Sequence, residues 1–136
     1  MKQSGAMFLV NTDSKILLVH PSGKYNRKAP WLPPKEEIQS EETPREAAQR
    51  AVVEELGLTP DSYTDIKDLG SVTYRTKSKM IWCFTARYLE KNDAVRLDWE
   101  NDRYGWFTAD EAQRIIKEEF APLIANAVRL VSPSEA

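Results

Sequence analysis

The sequence predicts a layered sandwich of α/β or α+β class, because strand signals and helix signals alternate along a chain with no repeat, linker or low-complexity tract. Three observations carry that expectation. Two apolar runs separated by turn formers read as a β-hairpin, one segment carries both a start and a stop signal for a helix, and two later runs are rich in strand formers. Ala6 to Val10 and Lys15 to Val19 flank Asn11-Thr12-Asp13-Ser14. Neither run alternates, so both strands are expected to be buried on two faces. From His20 to Lys35 the chain holds Pro21, Gly23, Pro30, Pro33 and Pro34 among Lys24, Arg27, Lys28 and Lys35, which excludes a helix or a central strand and leaves a long basic loop. Thr43-Pro44-Arg45-Glu46 offers an N-cap, proline at the first helical position and Glu at the third, and Gly57 can close the segment, so a helix is expected from about Pro44 to Leu56. Ile66 to Thr73 and Lys79 to Leu89 read as strands, the second through Ile81, Trp82, Phe84, Thr85 and Tyr88. Tyr104 to Phe107 is a short strand. Thr108-Ala109-Asp110-Glu111 repeats the capping pattern before a helix to about Lys117, and Ala121 to Val131 has the apolar spacing of a final amphipathic helix.

At 136 residues, the chain can bury roughly two-thirds of its unfolded surface without disulfides or a structural metal, so one domain over residues 1–136 is expected. With 19 Lys and Arg against 21 Asp and Glu, the net charge is −2. No global positive field gathers double-stranded nucleic acid, no RNP or OB-type pattern appears, and any phosphate chemistry must be local. The single cysteine, Cys83, and single histidine, His20, exclude zinc sites that need several such ligands. Hard, oxygen-bound metals remain. The apolar run Ala6 to Val10 is far shorter than a signal h-region or a membrane span, which points to a soluble cytoplasmic protein with no membrane partner.

The predicted helix gathers acid on one surface. At 3.6 residues per turn, Ala51, Glu54, Glu55 and Leu58 lie together with Arg50 at the flank. Adjacent carboxylates repel, and two readings follow: a solvated face with an Arg50–Glu54 pair, or half of a site where a divalent cation such as magnesium neutralises the acids. Lys24, Arg27, Lys28, Lys35, Arg75, Lys77 and Lys79 can ring a polyphosphate or be solvated loop charge. Trp82, Phe84, Tyr74 and Tyr104 can stack a base or belong to the core. His20, before Pro21, can bond a phosphate or base or be a satisfied strand-end residue, and Cys83 reads as inert core.

From Glu36 to Leu58 the chain resembles the Nudix box, G-x5-E-x7-R-E-U-x-E-E-x-G-U with U apolar. Glu42, Arg50, Val52, Glu54, Glu55, Gly57 and Leu58 fall in register, whereas Glu36 stands where the motif has Gly and Ala51 where it has the first Glu of R-E-U-x-E-E. Trp31-Leu32-Pro33-Pro34-Lys35 upstream, and Glu100 four residues before Tyr104-Gly105-Trp106 downstream, are similar to the branch of asymmetric diadenosine tetraphosphate hydrolases and RNA 5′-pyrophosphohydrolases. The resemblance implies an α+β fold, an α/β/α sandwich with a mixed β-sheet between helices. It also implies a Mg²⁺-dependent (or Mn²⁺-dependent) hydrolase of nucleoside polyphosphates, a dinucleoside polyphosphate or related substrate, working as a monomer or homodimer on a nucleotide-type small molecule. Carried over by position, Glu54, Glu55, Glu100 and the Lys35 carbonyl would hold metal, with Glu100 as a further ligand or general base. Arg50 would brace the carboxylates and complete the catalytic set, and Glu42 would be either structural or an acid just outside the metal ligands. Lys35, Lys77, Lys79, His20, Trp82 and Tyr104 would contact substrate. Ala51 removes an acid near the metals, through natural loss or an introduced change, and implies impaired turnover. The alternative is a catalytically silent domain of this type that binds or senses a nucleotide. Glu36 brings an acid back beside the box.

Overall fold

The computed structural model describes residues 1–89 and 94–131. Strands β1 (Lys2–Val10), β2 (Ile16–Pro21), β3 (Lys35–Glu37), β4 (Tyr63–Thr73), β5 (Lys79–Tyr88) and β6 (Asn101–Phe107) accompany helices α1 (Pro44–Leu56), α2 (Ala109–Ile115) and α3 (Ile124–Val131). The strands form one sheet in the order β4-β5-β1-β2-β6, with β3 also on β1. β1 and β5 run parallel and the other pairs antiparallel, so the sheet is mixed. Among the described residues no helix is long and apolar enough to cross a membrane.

Strand periodicity divides the core in two. Ala6, Phe8, Val10, Ile16 and Leu18 pack with Phe120, Ile124, Ala127 and Val131 on the α2/α3 side. Met7, Leu9, Leu17 and Val19 pack with Ala48, Val52, Leu56 and Phe84 on the α1 side. Both central strands are buried on two faces, as their unbroken apolar runs require, and each of these large side chains contributes on the order of 2 kcal/mol. α1 lies close to the sheet because alanines face it and Gly5 lies beneath. A Cβ at Gly5 would stand 2.2 Å from the Pro44 carbonyl oxygen and 2.7 Å from the Ala48 nitrogen.

The helix with both end signals has the limits its sequence prescribes. Thr43 accepts from the Glu46 N–H while the Glu46 side chain accepts from the Thr43 N–H, and Gly57 ends the helix at φ 66°. Elsewhere the boundaries differ from expectation. β1 begins at Lys2 because Ser4 to Ala6 pair with Glu37 to Lys35, and the same backbone also faces β5. β2 runs on to Pro21 across a register shift, so His20 and Pro21 belong to a strand, as does Lys35 at the far end of the expected loop. β4 starts at Tyr63, three residues early. β6 starts at Asn101 because Asn101 and Arg103 pair with Pro21 and His20. α2 stops at Ile115, where Ile116 turns extended (ψ 152°) and bridges to Trp31. The last helical stretch opens as a 3-10 turn over Glu118–Leu123 carrying Pro122, and becomes α-helical only at Ile124.

Candidate active site

Arg50 ties the middle of α1 to the segment that leads into it. Its Nε and Nη2 donate to the two oxygens of Glu42 at 2.9 and 3.1 Å. Nη1 donates to Glu54 Oε2 at 3.1 Å and Nη2 to the Glu37 carbonyl at 2.7 Å. The paired guanidinium holds the Glu42 carboxyl below its ordinary range. Glu42 is therefore a brace between β3 and α1. Glu54, half-exposed, spends one oxygen on Arg50.

Glu55, one position on, turns 100° inward and is 4% exposed. Its Oε2 accepts from the Lys35 N–H at 3.1 Å and its Oε1 from the Asn101 amide at 2.8 Å. Glu36 and Glu100 converge on it, and one carboxylate oxygen from each of the three lies within 4.8 Å of the others. Glu100 is carried there by a backbone bond from the Ser22 N–H to its carbonyl (2.9 Å) and a turn in which Asp98 accepts from its own N–H (3.1 Å). The three acids line a cavity of about 550 Å³, together with Lys35, Lys79, Arg50, Gln39 and Asn101.

Other candidate residues lie elsewhere. Lys77 occupies an exposed turn at φ 57°, its N–H donating to the Tyr74 carbonyl. Arg75 pairs with Glu118 and Tyr74 packs on Phe120 and Lys117, both on the α2/α3 side. Lys24, Arg27 and Lys28 are exposed on the loop after β2. His20 is buried, its Nδ1 3.2 Å from Asp102 Oδ1 and its Nε2 3.1 Å from the Ala29 carbonyl, so both ring nitrogens are engaged within the protein. Trp82 donates to Gln3 Oε1, and Trp82 and Tyr104 are half-buried against the α1-side core, where Phe84 is buried. Burial pushes the Cys83 thiol up to about 12, so it is not a nucleophile at neutral pH. Sequence reasoning missed Asn101, the residue that orients Glu55. Its run, Asp98 to Asp102, reads as a polar loop, and only its adjacency to Glu100 marks it.

Burial and the neighbouring acids raise the proton affinity of Glu55 and Glu36. Burial lifts Glu55 to about 9; the Asn101 bond opposes this, and Glu36 and Glu100 add repulsion. Burial, then the charges of Glu100 and Glu54, lift Glu36 to about 7. Burial and Lys79 lower Lys35. Both Glu shifts lie above the ordinary carboxylate value, so between that range and about pH 9 the folded metal-free protein holds more protons than the unfolded chain. Stability is then greatest at acid pH and declines as pH rises through the window. In chelator, the melting temperature is expected to fall by on the order of 5 °C between pH 5.5 and 8.5. Millimolar Mn²⁺ should recover it at pH 8.5, a cation replacing the protons. A flat profile without metal would show that the acids do not share a buried site.

The donor set fits a hard divalent cation. Three carboxylates supply oxygen only, the most buried of them is already oriented by two N–H donors, and two lysines line the same cavity, where an anionic ligand would meet them. In comparisons with known proteins, the NUDIX domain family model matches residues 1–130. The Ap4A hydrolase of C. elegans, solved as a binary complex, superposes with a TM-score of 0.77 at 21% identity, covering 92% of this chain and 93% of that one. The MutT protein of Methanosarcina mazei does so at 0.72 and 21%, covering 94% and 93%. The E. coli dihydroneopterin triphosphate pyrophosphohydrolase does so at 0.72 and 15%, covering 93% and 94%. No curated protein matches in sequence.

Proposed function

From the premise that the chain belongs to the NUDIX domain family, we propose that it is a hydrolase of nucleoside polyphosphates that depends on Mg²⁺ or Mn²⁺, with a dinucleoside polyphosphate or related nucleoside-diphosphate-linked molecule as substrate. The observation that carries this reading is the convergence of Glu36, Glu55 and Glu100 in a cavity that Lys35 and Lys79 also line. The Ap4A hydrolase and pyrophosphohydrolase among the similar folds support the substrate class. A bound divalent cation would neutralise the polyphosphate and lower the pKa of the attacking water. Glu55, with Glu100 and the half-exposed Glu54, would hold it, and the Lys35 carbonyl would add a ligand from β3. Asn101 and the Lys35 N–H fix the Glu55 carboxylate so that no reorganisation is needed when substrate arrives. Lys35 and Lys79 bind phosphate oxygens along the cavity wall. Glu100, on a segment rather than in the helix, accepts the proton of the attacking water at its carboxylate.

The test is a hydrolysis panel of diadenosine polyphosphates, nucleoside triphosphates and nucleotide sugars in Mg²⁺ and Mn²⁺. Metal-dependent release of a nucleotide is expected, and no release from any of them would overturn the reading. Ala51 favours a second reading, a domain that binds a nucleotide without cleaving it. Equal nucleotide affinity with and without metal, and no release, would establish that one. Within the first reading, Glu100→Gln should lower kcat at least tenfold while KM stays within about threefold, because a base for the attacking water acts chiefly in the transition state. An unaltered kcat would return Glu100 to a charge-balancing role.

A further inference from the structure

Glu36 and Ala51 both depart from the motif the chain resembles, and the structure brings the two departures to one place. Gly5 of β1 faces Glu36 of β3 in register. Residues directly opposed on antiparallel strands present their side chains to the same face. A Cβ on Gly5 would run into Pro44, Ala47 and Ala48 of α1, so Glu36 is directed to the α1 face. On α1, Ala48, Ala51 and Glu55 follow one another at i, i+3 and i+7, all buried. Helical side chains lean towards the N-terminus, so the Glu55 carboxylate lies over the turn that contains Ala51. Glu36 meets it there: their oxygens belong to the same 4.8 Å group. Ala51, fully buried one turn before Glu55, brings no carboxylate of its own to that group.

We propose that Glu36 is a metal ligand of this chain, supplying from β3 the carboxylate that Ala51 withholds from α1, so that the two departures amount to one exchange that preserves the number of acids at the centre. The proposal rests on reading the site as a metal-dependent hydrolase. It also bears on the effect of Ala51: with the acid count kept, the chain is an active enzyme rather than a silent relic.

The experiment measures Mn²⁺ binding to the whole protein by calorimetry and by electron paramagnetic resonance of the free ion, alongside diadenosine tetraphosphate hydrolysis, for the parent, Glu36→Gln, Ala51→Glu and the double variant Glu36→Gly with Ala51→Glu. Glu36→Gln, which keeps the shape, should weaken Mn²⁺ binding at least tenfold. The double variant should recover affinity to within about threefold of the parent. Ala51→Glu alone should gain less than threefold, since Glu36 already provides the carboxylate. Parent-like Mn²⁺ binding by Glu36→Gln overturns the proposal and leaves the hydrolase reading intact. So does a double variant as weak as Glu36→Gln in which thermal melting shows a folded protein. A parent that binds Mn²⁺ through Glu36 but cleaves neither diadenosine tetraphosphate nor any other member of the substrate panel overturns the hydrolase reading and supports the ligand. A parent that binds no Mn²⁺ overturns both.

Discussion

Glu55→Gln is expected to cost at least three orders of magnitude in kcat, about 4 kcal/mol of transition-state stabilisation, and to weaken Mn²⁺ binding at least tenfold. Glu55 is the most buried of the three acids and the one whose two oxygens are both already oriented. An amide supplies one oxygen in place of two and carries no charge. It also turns an NH₂ towards either the Lys35 N–H or the Asn101 amide, both donors, at a cost of about 1 kcal/mol. Against that, unfolding of the variant no longer releases the proton that burial holds on Glu55. Its metal-free melting temperature at pH 8.5 should therefore equal or exceed that of the parent, which separates loss of a ligand from loss of structure. Parent-like Mn²⁺ affinity would make Glu55 a structural acid.

The second large effect lies in the scaffold. Gly5→Ala should destabilise the protein by about 3 kcal/mol, at the upper end for overpacking, and lower the melting temperature by roughly 10 °C. The clashing atoms, the Pro44 carbonyl oxygen and Ala48 nitrogen, belong to helix backbone and cannot rotate away. Relief requires α1 to lift from β1, and Glu55 moves with it, so residual activity should fall beyond what the unfolded fraction explains. A melting temperature within about 2 °C of the parent would show that the helix shifts freely.

How much of this was legible in the sequence varied with how local the cause was. α1 was readable to the residue because its cap, its proline and its closing glycine act within four positions. The two-faced burial of β1 and β2 was readable from unbroken apolar runs. β3 was not, since Lys35-Glu36-Glu37 has no apolar residue and becomes a strand only because the edge of β1 offers partners. Glu54 and Glu55 read as one patch. Successive helical positions diverge by 100°, and the sheet lies on one side only, so one is salt-bridged at the surface and the other buried. Glu36 stood out as a departure, but its facing Gly5 is a matter of register across thirty residues, which spacing cannot express. Glu100 was reached through resemblance alone, and Asn101 was missed, because polar strand ends look like loops.

The parallel pairing of β1 with β5 sets the order in which the molecule can be made. Lys2 lies opposite Lys79 and Val10 opposite Arg87, so β1 is synthesised well before the strand that pairs with it along its whole length. A chain ending after α1 already contains Glu36 and Glu55, yet the sheet that separates their face from the other lacks β4, β5 and β6. Closing so long a loop is slow, so the edge of β1 that β5 will cover is the last of its edges to be paired. Glu100 follows later still, just ahead of β6, together with the Asn101 that orients Glu55 and the Tyr104 and Trp106 that pack on the α1-side core, so the site and that core are completed by the same late segment.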